Sequence, residues 1–211
     1  MKIYKTISVG LFLVLLCLSI YFPLSAGAPT DLMRTTLDRV VAVLKNPRLQ
    51  SDARKKERRD QLRQVIYPRF DFAAMAKRSL GFHWRSLTPE EQREFEEVFT
   101  DLLESSYVDQ IESYNDEKIL YIREIQDDNY AEVSTKIVTT KGEEFSINYK
   151  LHLVNESWKV YDIVIENISL INNYRSQFNR IIMKSSYQEL LRRMKEKQIE
   201  VMRKKKNIES S

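Results

Sequence analysis

Between residues 118 and 166 apolar side chains recur at every second position, and this run limits the possible folds more than any other feature of the chain. Its segments, about 118–126, 130–140, 143–154 and 158–166, are separated by Asp127-Asp128-Asn129, Lys141-Gly142 and Asn155-Glu156-Ser157. Connections this short make neighbouring strands antiparallel. The third segment alternates throughout. Phe145, Ile147, Tyr149, Leu151 and Leu153 share one face, and Ser146, Asn148, Lys150 and His152 share the other. One side therefore meets a core and the other lies nearer water. The fourth segment reads as apolar on both faces, with Trp158, Val160 and Val164 on one and Tyr161, Ile163 and Ile165 on the other.

Helical periodicity flanks this meander. Pro29-Thr30-Asp31 starts a helix carrying Leu37, Val40, Val41 and Leu44, which ends near Asn46-Pro47. A highly charged second helix starts at Ser51, buries Leu62, Val65 and Ile66, and stops at Pro68. A third spans about 70–80, with Gly81 as its C-terminal cap. In "LTPEEQREF", Thr88 is an N-cap, Pro89 occupies the first helical position and Glu91 completes a capping box. The stripe that follows holds Phe95, Val98, Phe99, Leu102, Leu103, Ser106, Tyr107, Ile111 and Tyr114. Helix returns at Ser169, with Ile171, Tyr174, Phe178, Ile181 and Ile182 in step. The order predicts an α+β fold: N-terminal helices, a curved four-stranded antiparallel meander, and C-terminal helices packed on it.

The first segment stands apart. Lys2 and Lys5 precede an apolar run from Ile7 to Phe22, Pro23 breaks it, and "SAGA" supplies small residues for cleavage after Ala26 or Ala28. The run is shorter than the about 20 residues a membrane span needs. Residues 1–28 are thus expected to be a cleaved signal peptide, 29–195 one domain, and 196–211 a charged tail. Cys17, the only cysteine, lies in the apolar run behind the bulky Leu16, which does not suit a lipoprotein. The exported chain would hold no disulfide and rely on packing alone. Lys2 and Lys5 also supply half of the net charge of +4. The remaining basic cluster, "RRMKEKQIEVMRKKKN", includes Glu196 and Glu200 and reads as a solvated helix, so no nucleic-acid partner is expected.

Catalytic signatures are scarce. His83 and His152 have no second His or Cys at ligand spacing, and no G-x-S-x-G, Gly-rich phosphate loop or H-E-x-x-H occurs. Asp71, Asp109 and Asp162 stand among apolar neighbours, where a carboxylate is either a hydrogen-bonded structural group or an acid–base group. The inward-facing apolar residues form either a filled core or the wall of a cavity for an apolar ligand. Periodicity alone does not separate the two.

Three stretches together resemble one family. They are "YPRFDFAAMAKRSLGFHWRSLTPEEQREFEEVFTDLLESSY", "VSTKIVTTKGEEFSINYKL" and "WKVYDIVIENISLINNYRSQFNRII". They are similar to the helical block, central hairpin and closing strand–helix of the MlaC, or toluene-tolerance auxiliary, family. One departure is Asn167 in "ENISL", where the family often has Gly. The resemblance implies a monomeric periplasmic phospholipid carrier of the Mla system, neither an enzyme nor a cofactor protein. Its partners would be an inner-membrane ABC transporter complex and an outer-membrane lipoprotein complex, and its role the maintenance of outer-membrane lipid asymmetry. It further implies a cavity with a helix wall of Met75, Phe99, Leu102, Leu103 and Tyr107. The sheet wall would be Val133, Ile137, Phe145, Ile147, Tyr149, Leu151, Val160, Tyr161 and Ile163, and the closing wall Ile171, Tyr174 and Phe178. Lys77, Arg78 and Arg85 would serve a head-group rim or a partner surface. A carrier of another lipid, such as a hopanoid, and a periplasmic adaptor with a filled core are the alternatives. An enzyme would require Asp71 or Asp162 in the cavity beside a proton partner.

Overall fold

The computed structural model describes residues 28–197. The expected signal peptide and charged tail lie outside the described residues, apart from Ala28, Glu196 and Lys197. Four helices come first: α1 (Ala28–Leu44), α2 (Lys55–Ile66), α3 (Phe72–Leu80) and α4 (Pro89–Glu112). Five strands follow: β1 (Lys118–Asp127), β2 (Tyr130–Val138), β3 (Glu144–Val154), β4 (Ser157–Ile165) and β5 (Ile168–Ser169). They form one antiparallel sheet in sequence order. Helix α5 (Leu170–Lys184) then leads to α6, residues 187–197.

The caps lie where the sequence puts them. The Thr88 hydroxyl accepts from the Glu91 N–H at 3.2 Å, and the Glu91 carboxylate accepts from the Thr88 N–H at 2.8 Å. Asp71 caps α3 by accepting from the Ala74 N–H at 2.8 Å, and Gly81, at φ 60°, ends that helix. Ser169 caps α5 through the Asn172 N–H at 3.0 Å. Helix α2 starts at Lys55 and not at Ser51, because residues 52–54 form a tighter 3₁₀ turn first.

Two features of the sheet differ from the sequence reading. The expected four strands become five, because Ile168–Ser169 fold back on β4 through a two-residue turn. Glu166 and Asn167 in that turn have φ of 47° and 65°, as a type I′ turn requires. The second difference is a bulge in β4. Val160 pairs with Leu151 and Asp162 with Lys150, so Tyr161 is the extra residue. Past it the alternation changes phase. Ile163 and Ile165 join Trp158 and Val160 on the inner face, opposite Tyr149, Ile147, Leu153 and Leu151 respectively. The two-sided apolar pattern of this strand therefore marks a bulge, and both halves of it face one core.

The helices seal one sheet edge. The Asp71 N–H donates to the Val160 carbonyl at 2.9 Å, and Phe70 bridges Val160 in parallel. Packing divides into three clusters. Helices α3, α4, α5 and α6 share an aromatic core around Phe95, Phe99, Tyr174 and Phe178. The inner sheet face packs Val133, Tyr149, Leu151 and Val160 against Met33 of α1. Helices α1 and α2 meet through Val40, Leu44, Leu62 and Val65.

An apolar cavity between the sheet and the helices

A cavity of about 360 Å³ lies where the three clusters meet. That volume falls in the lower part of the range for small-molecule sites, roughly 300–1,000 Å³. The sheet contributes Ile147, Tyr149, Ile163 and Ile165. Helix α4 contributes Leu103, Tyr107, Val108 and Ile111, and α3 with its approach contributes Phe70, Phe72 and Met75. Helix α1 adds Met33, Leu37 and Val40, α2 adds Leu62 and Ile66, and Leu170 closes the start of α5. Each reaches the space by ordinary periodicity: inner-face positions on the strands, and three- or four-residue steps on the helices.

One flank is polar. Between basic α2 and acidic α4, Arg59 bonds Glu112 at 2.6 Å and Asp109 at 2.8 Å. Arg63 reaches Glu104 at 2.6 Å, and the Tyr67 hydroxyl donates to the same carboxylate at 2.6 Å. Arg58 bonds Glu112 at 2.8 Å, with both side chains largely buried. Arg59, Arg63, Tyr67, Glu104 and Gln110 reach the cavity wall. These long side chains hold α2 and α4 across a gap that shorter apolar ones would close. The Glu104 carboxylate, first among several neighbours, raises the Arg63 guanidinium pKa. Burial raises the Tyr67 hydroxyl well above its ordinary range, and the Glu104 carboxylate adds to the effect. Burial likewise raises the Tyr149 hydroxyl, and it pushes Tyr107 up to about 12. A neutral, buried phenol suits an apolar wall. A larger groove, about 910 Å³, lies between α1 and α2, but its walls include Arg39, Lys56, Glu57 and Asp60. It lacks the apolar lining that burying a hydrocarbon requires.

Of the wall residues expected from sequence, six line the cavity: Met75, Leu103, Tyr107, Ile147, Tyr149 and Ile163. Val133, Leu151 and Val160 are buried in the sheet cluster beside it. Phe99, Leu102, Ile171, Tyr174 and Phe178 belong to the aromatic core of the helical half. There Phe99 meets Tyr174 at 5.4 Å edge to face and stacks on Phe95 at 5.8 Å. Ile137 and Phe145 pair at the sheet's end, where Phe145 is exposed. Tyr161, as the bulge residue, turns to the outer face, against Tyr130 and His152 and under Arg78. Lys77, Arg78 and Arg85 are not among the lining residues; they sit at and beyond the C-terminal end of α3. Sequence reasoning missed the α1 and α2 walls and the ionic flank. The Met33–Leu37–Val40 spacing was a readable signal for α1. The Arg–Glu pairs join residues some fifty positions apart in the chain and gave no local sign.

The apolar-flanked aspartates are structural. Asp71 caps α3 and lies 2.9 Å from His152 Nε2. Asp162 is buried, accepting from the Ser169 hydroxyl at 2.6 Å and the Ile171 N–H at 3.1 Å. Neither lines the cavity. Asp109 is held by Arg59.

Together these features define an α+β protein with an apolar cavity between a meander and its helices. Residues 34–196 match the family model for the MlaC protein, and the chain belongs to the MlaC family. It is 27% identical over 169 residues to the toluene tolerance protein ttg2D of Pseudomonas putida, a match covering 78% of this chain and 79% of that protein. It is 24% identical over 140 residues to the intermembrane phospholipid transport system binding protein MlaC of Haemophilus influenzae, covering 64% and 65%. Among solved structures it is similar to a phospholipid-binding protein from Ralstonia solanacearum in complex with a phospholipid. That likeness has a TM-score of 0.73 and 27% identity, and it covers 82% of this chain and 97% of the other. Among the described residues no helix is long and apolar enough to cross a membrane.

Proposed function

We propose that this chain is a periplasmic phospholipid carrier that takes up acyl chains in the cavity between β3–β4 and α4. It would exchange lipid between an outer-membrane lipoprotein complex and an inner-membrane ABC transporter of the Mla type, and so maintain outer-membrane lipid asymmetry. The observation that carries this reading is the cavity, apolar on all sides but one. Membership of the MlaC family and the phospholipid in the similar Ralstonia protein support it.

Burial alone can drive uptake. Each acyl methylene withdrawn from water contributes about 0.8 kcal/mol, so the hydrocarbon dominates binding and the head group needs little recognition. The head group would stand at the α2–α4 flank, where Arg59 and Arg63 are the nearest cations to the apolar space. The cavity is small for two acyl chains, so full loading would move α2 away from α4, stretching the ion pairs that join them. No covalent step is involved.

The test is native mass spectrometry of protein purified from periplasm without detergent, with lipid extraction. A mass increment extracting as phospholipid is expected, and it should be lost in folded Leu103→Arg and Ile147→Asp variants. A clean unliganded mass, persisting after incubation with phospholipid vesicles, would refute the reading and favour a filled-core adaptor. Extraction of a polycyclic lipid instead would change the cargo and keep the carrier.

A further inference from the structure

Acidic residues are spread through most of the chain, yet two neighbouring parts of the helical half have none. The stretch Phe72–Ser86, which is α3 and the 3₁₀ segment after it, contains no Asp or Glu, and neither does α5. These parts pack on one another. Arg175 Nε donates to the Arg78 carbonyl at 2.9 Å, and His83 Nε2 lies 2.9 Å from Asn179 Oδ1. Their outward sides carry the exposed Lys77, Arg85, Arg175, Arg180 and Lys184, and none of the five forms an ion pair among the described residues. The neighbouring carboxylates are already engaged: Asp71 with His152, Asp162 with Ser169, Glu90 with Arg93 and Glu91 with the Thr88 N–H.

Two of the most exposed large apolar side chains stand on this same surface. Phe82 is 68% exposed and Met183 70%. The Phe82 ring leans on His83 at 3.9 Å, and His83 bonds Asn179, one helical turn before Met183. Neither fills the core, and neither lines the cavity.

We propose that this α3–α5 face is a docking surface for an anionic lipid bilayer. Unpaired Lys and Arg gain from the negative potential of such a surface, while an aromatic and a thioether side chain enter the head-group boundary. A protein partner would have to present a matching acidic face; the exposed Phe82 and Met183 among these cations fit the head-group boundary of a bilayer instead. The surface is separate from the cavity, so docking does not depend on lipid carriage.

The test is flotation of the exported chain with vesicles of phosphatidylglycerol and phosphatidylethanolamine, against vesicles of phosphatidylcholine alone. Binding to the anionic vesicles only is expected, weakening as salt is raised. Replacing Lys77, Arg85, Arg180 and Lys184 by Gln should lower the apparent affinity on the order of a thousandfold, at about 1 kcal/mol per cation. Phe82→Ser with Met183→Ser should lower it about tenfold at unchanged charge. All these side chains are exposed, and circular dichroism checks that the variants fold. Leu103→Arg, which blocks the cavity, should float like the wild type, so failure of carriage and failure of docking are read separately. Equal binding to both kinds of vesicle, or none by the wild type, would overturn the proposal. So would unchanged binding by the Gln variant, which would assign the attraction to the basic residues Arg203–Lys206, retained in every variant.

Discussion

The helical half and the sheet half draw on the same kinds of apolar residue but pack them differently. In the helical half Phe95, Phe99, Tyr174 and Phe178 meet edge to face, stacked or tilted, with ring centres 5.4 to 5.9 Å apart, and fill the space between four helices. In the sheet half the wall is mostly aliphatic, and α2 is held off α4 by Arg–carboxylate pairs, so about 360 Å³ stays open. What an apolar residue does depends on what faces it. Rings facing rings close a core, whereas Ile and Leu facing ion-pair struts leave room.

The largest effect should come from breaking the filled half. Phe99→Ala deletes a ring from a fully buried site and should cost about 3–5 kcal/mol. Ile147→Ala, beside a space already open, should fall at or below the low end of the about 2–5 kcal/mol usual for such truncations. Urea unfolding measures both, and equal losses would erase the distinction between the halves.

Next is the strut. Glu112→Ala leaves Arg58 and Arg59, both largely buried, without their shared carboxylate. About 2–4 kcal/mol is expected from thermal melts. If the struts hold the gap open, a folded Glu112→Ala chain should also change its lipid capacity, which truncations in the aromatic core would not do unless they unfold it.

Smaller again is the cap that joins the halves, Asp162 of β4 beneath α5. Asp162→Ala removes the acceptor for the buried Ile171 N–H and the Ser169 hydroxyl, at about 1–2 kcal/mol. Alkaline pH probes the cavity wall without mutation. Burial raises the folded-state pKa of Tyr107 to about 12, against the ordinary 10.0. Its contribution is complete below pH 10 and is lost as pH rises from there through about 12, since the unfolded chain gives up its proton first. Stability should therefore fall over that interval, and less steeply in Tyr107→Phe. A slope unchanged by that substitution would mean the hydroxyl is not shielded as described.

Much of the fold was legible locally. The Thr88-Pro89-Glu91 start, the Gly81 stop and the period-two run each state their own structure, and antiparallel order follows from short turns. The β4 faces were misread because a bulge at Tyr161 changes phase without changing composition. Most of the cavity wall was beyond local reading for a related reason. Periodicity says that Phe99 and Ile147 point inward, but not that one meets rings and the other meets space. A local reading that names Lys77, Arg78 and Arg85 for a rim or partner surface does not see Arg59 and Arg63 beside the cavity, because ion pairs between α2 and α4 depend on tertiary contact alone.

The smallest effect tests the hinge between the halves. The φ of Asn167, 65°, is one that an L side chain adopts at a cost. Asn bears that cost better than most residues, so Asn167→Gly should stabilise the chain by less than about 1 kcal/mol. Glu166, at φ 47°, is strained in the same way but is not interchangeable. Its carboxylate accepts from the Ser146 N–H and, at 2.9 Å, from the Ser146 hydroxyl, which hold its pKa below the usual carboxylate range. Glu166→Gly relieves strain and loses both bonds, so its net effect should be a loss. Denaturant midpoints of the two variants should thus move in opposite directions. Movement in the same direction would mean that the turn governs this joint through backbone conformation alone, without the Ser146 contact that ties it to the sheet.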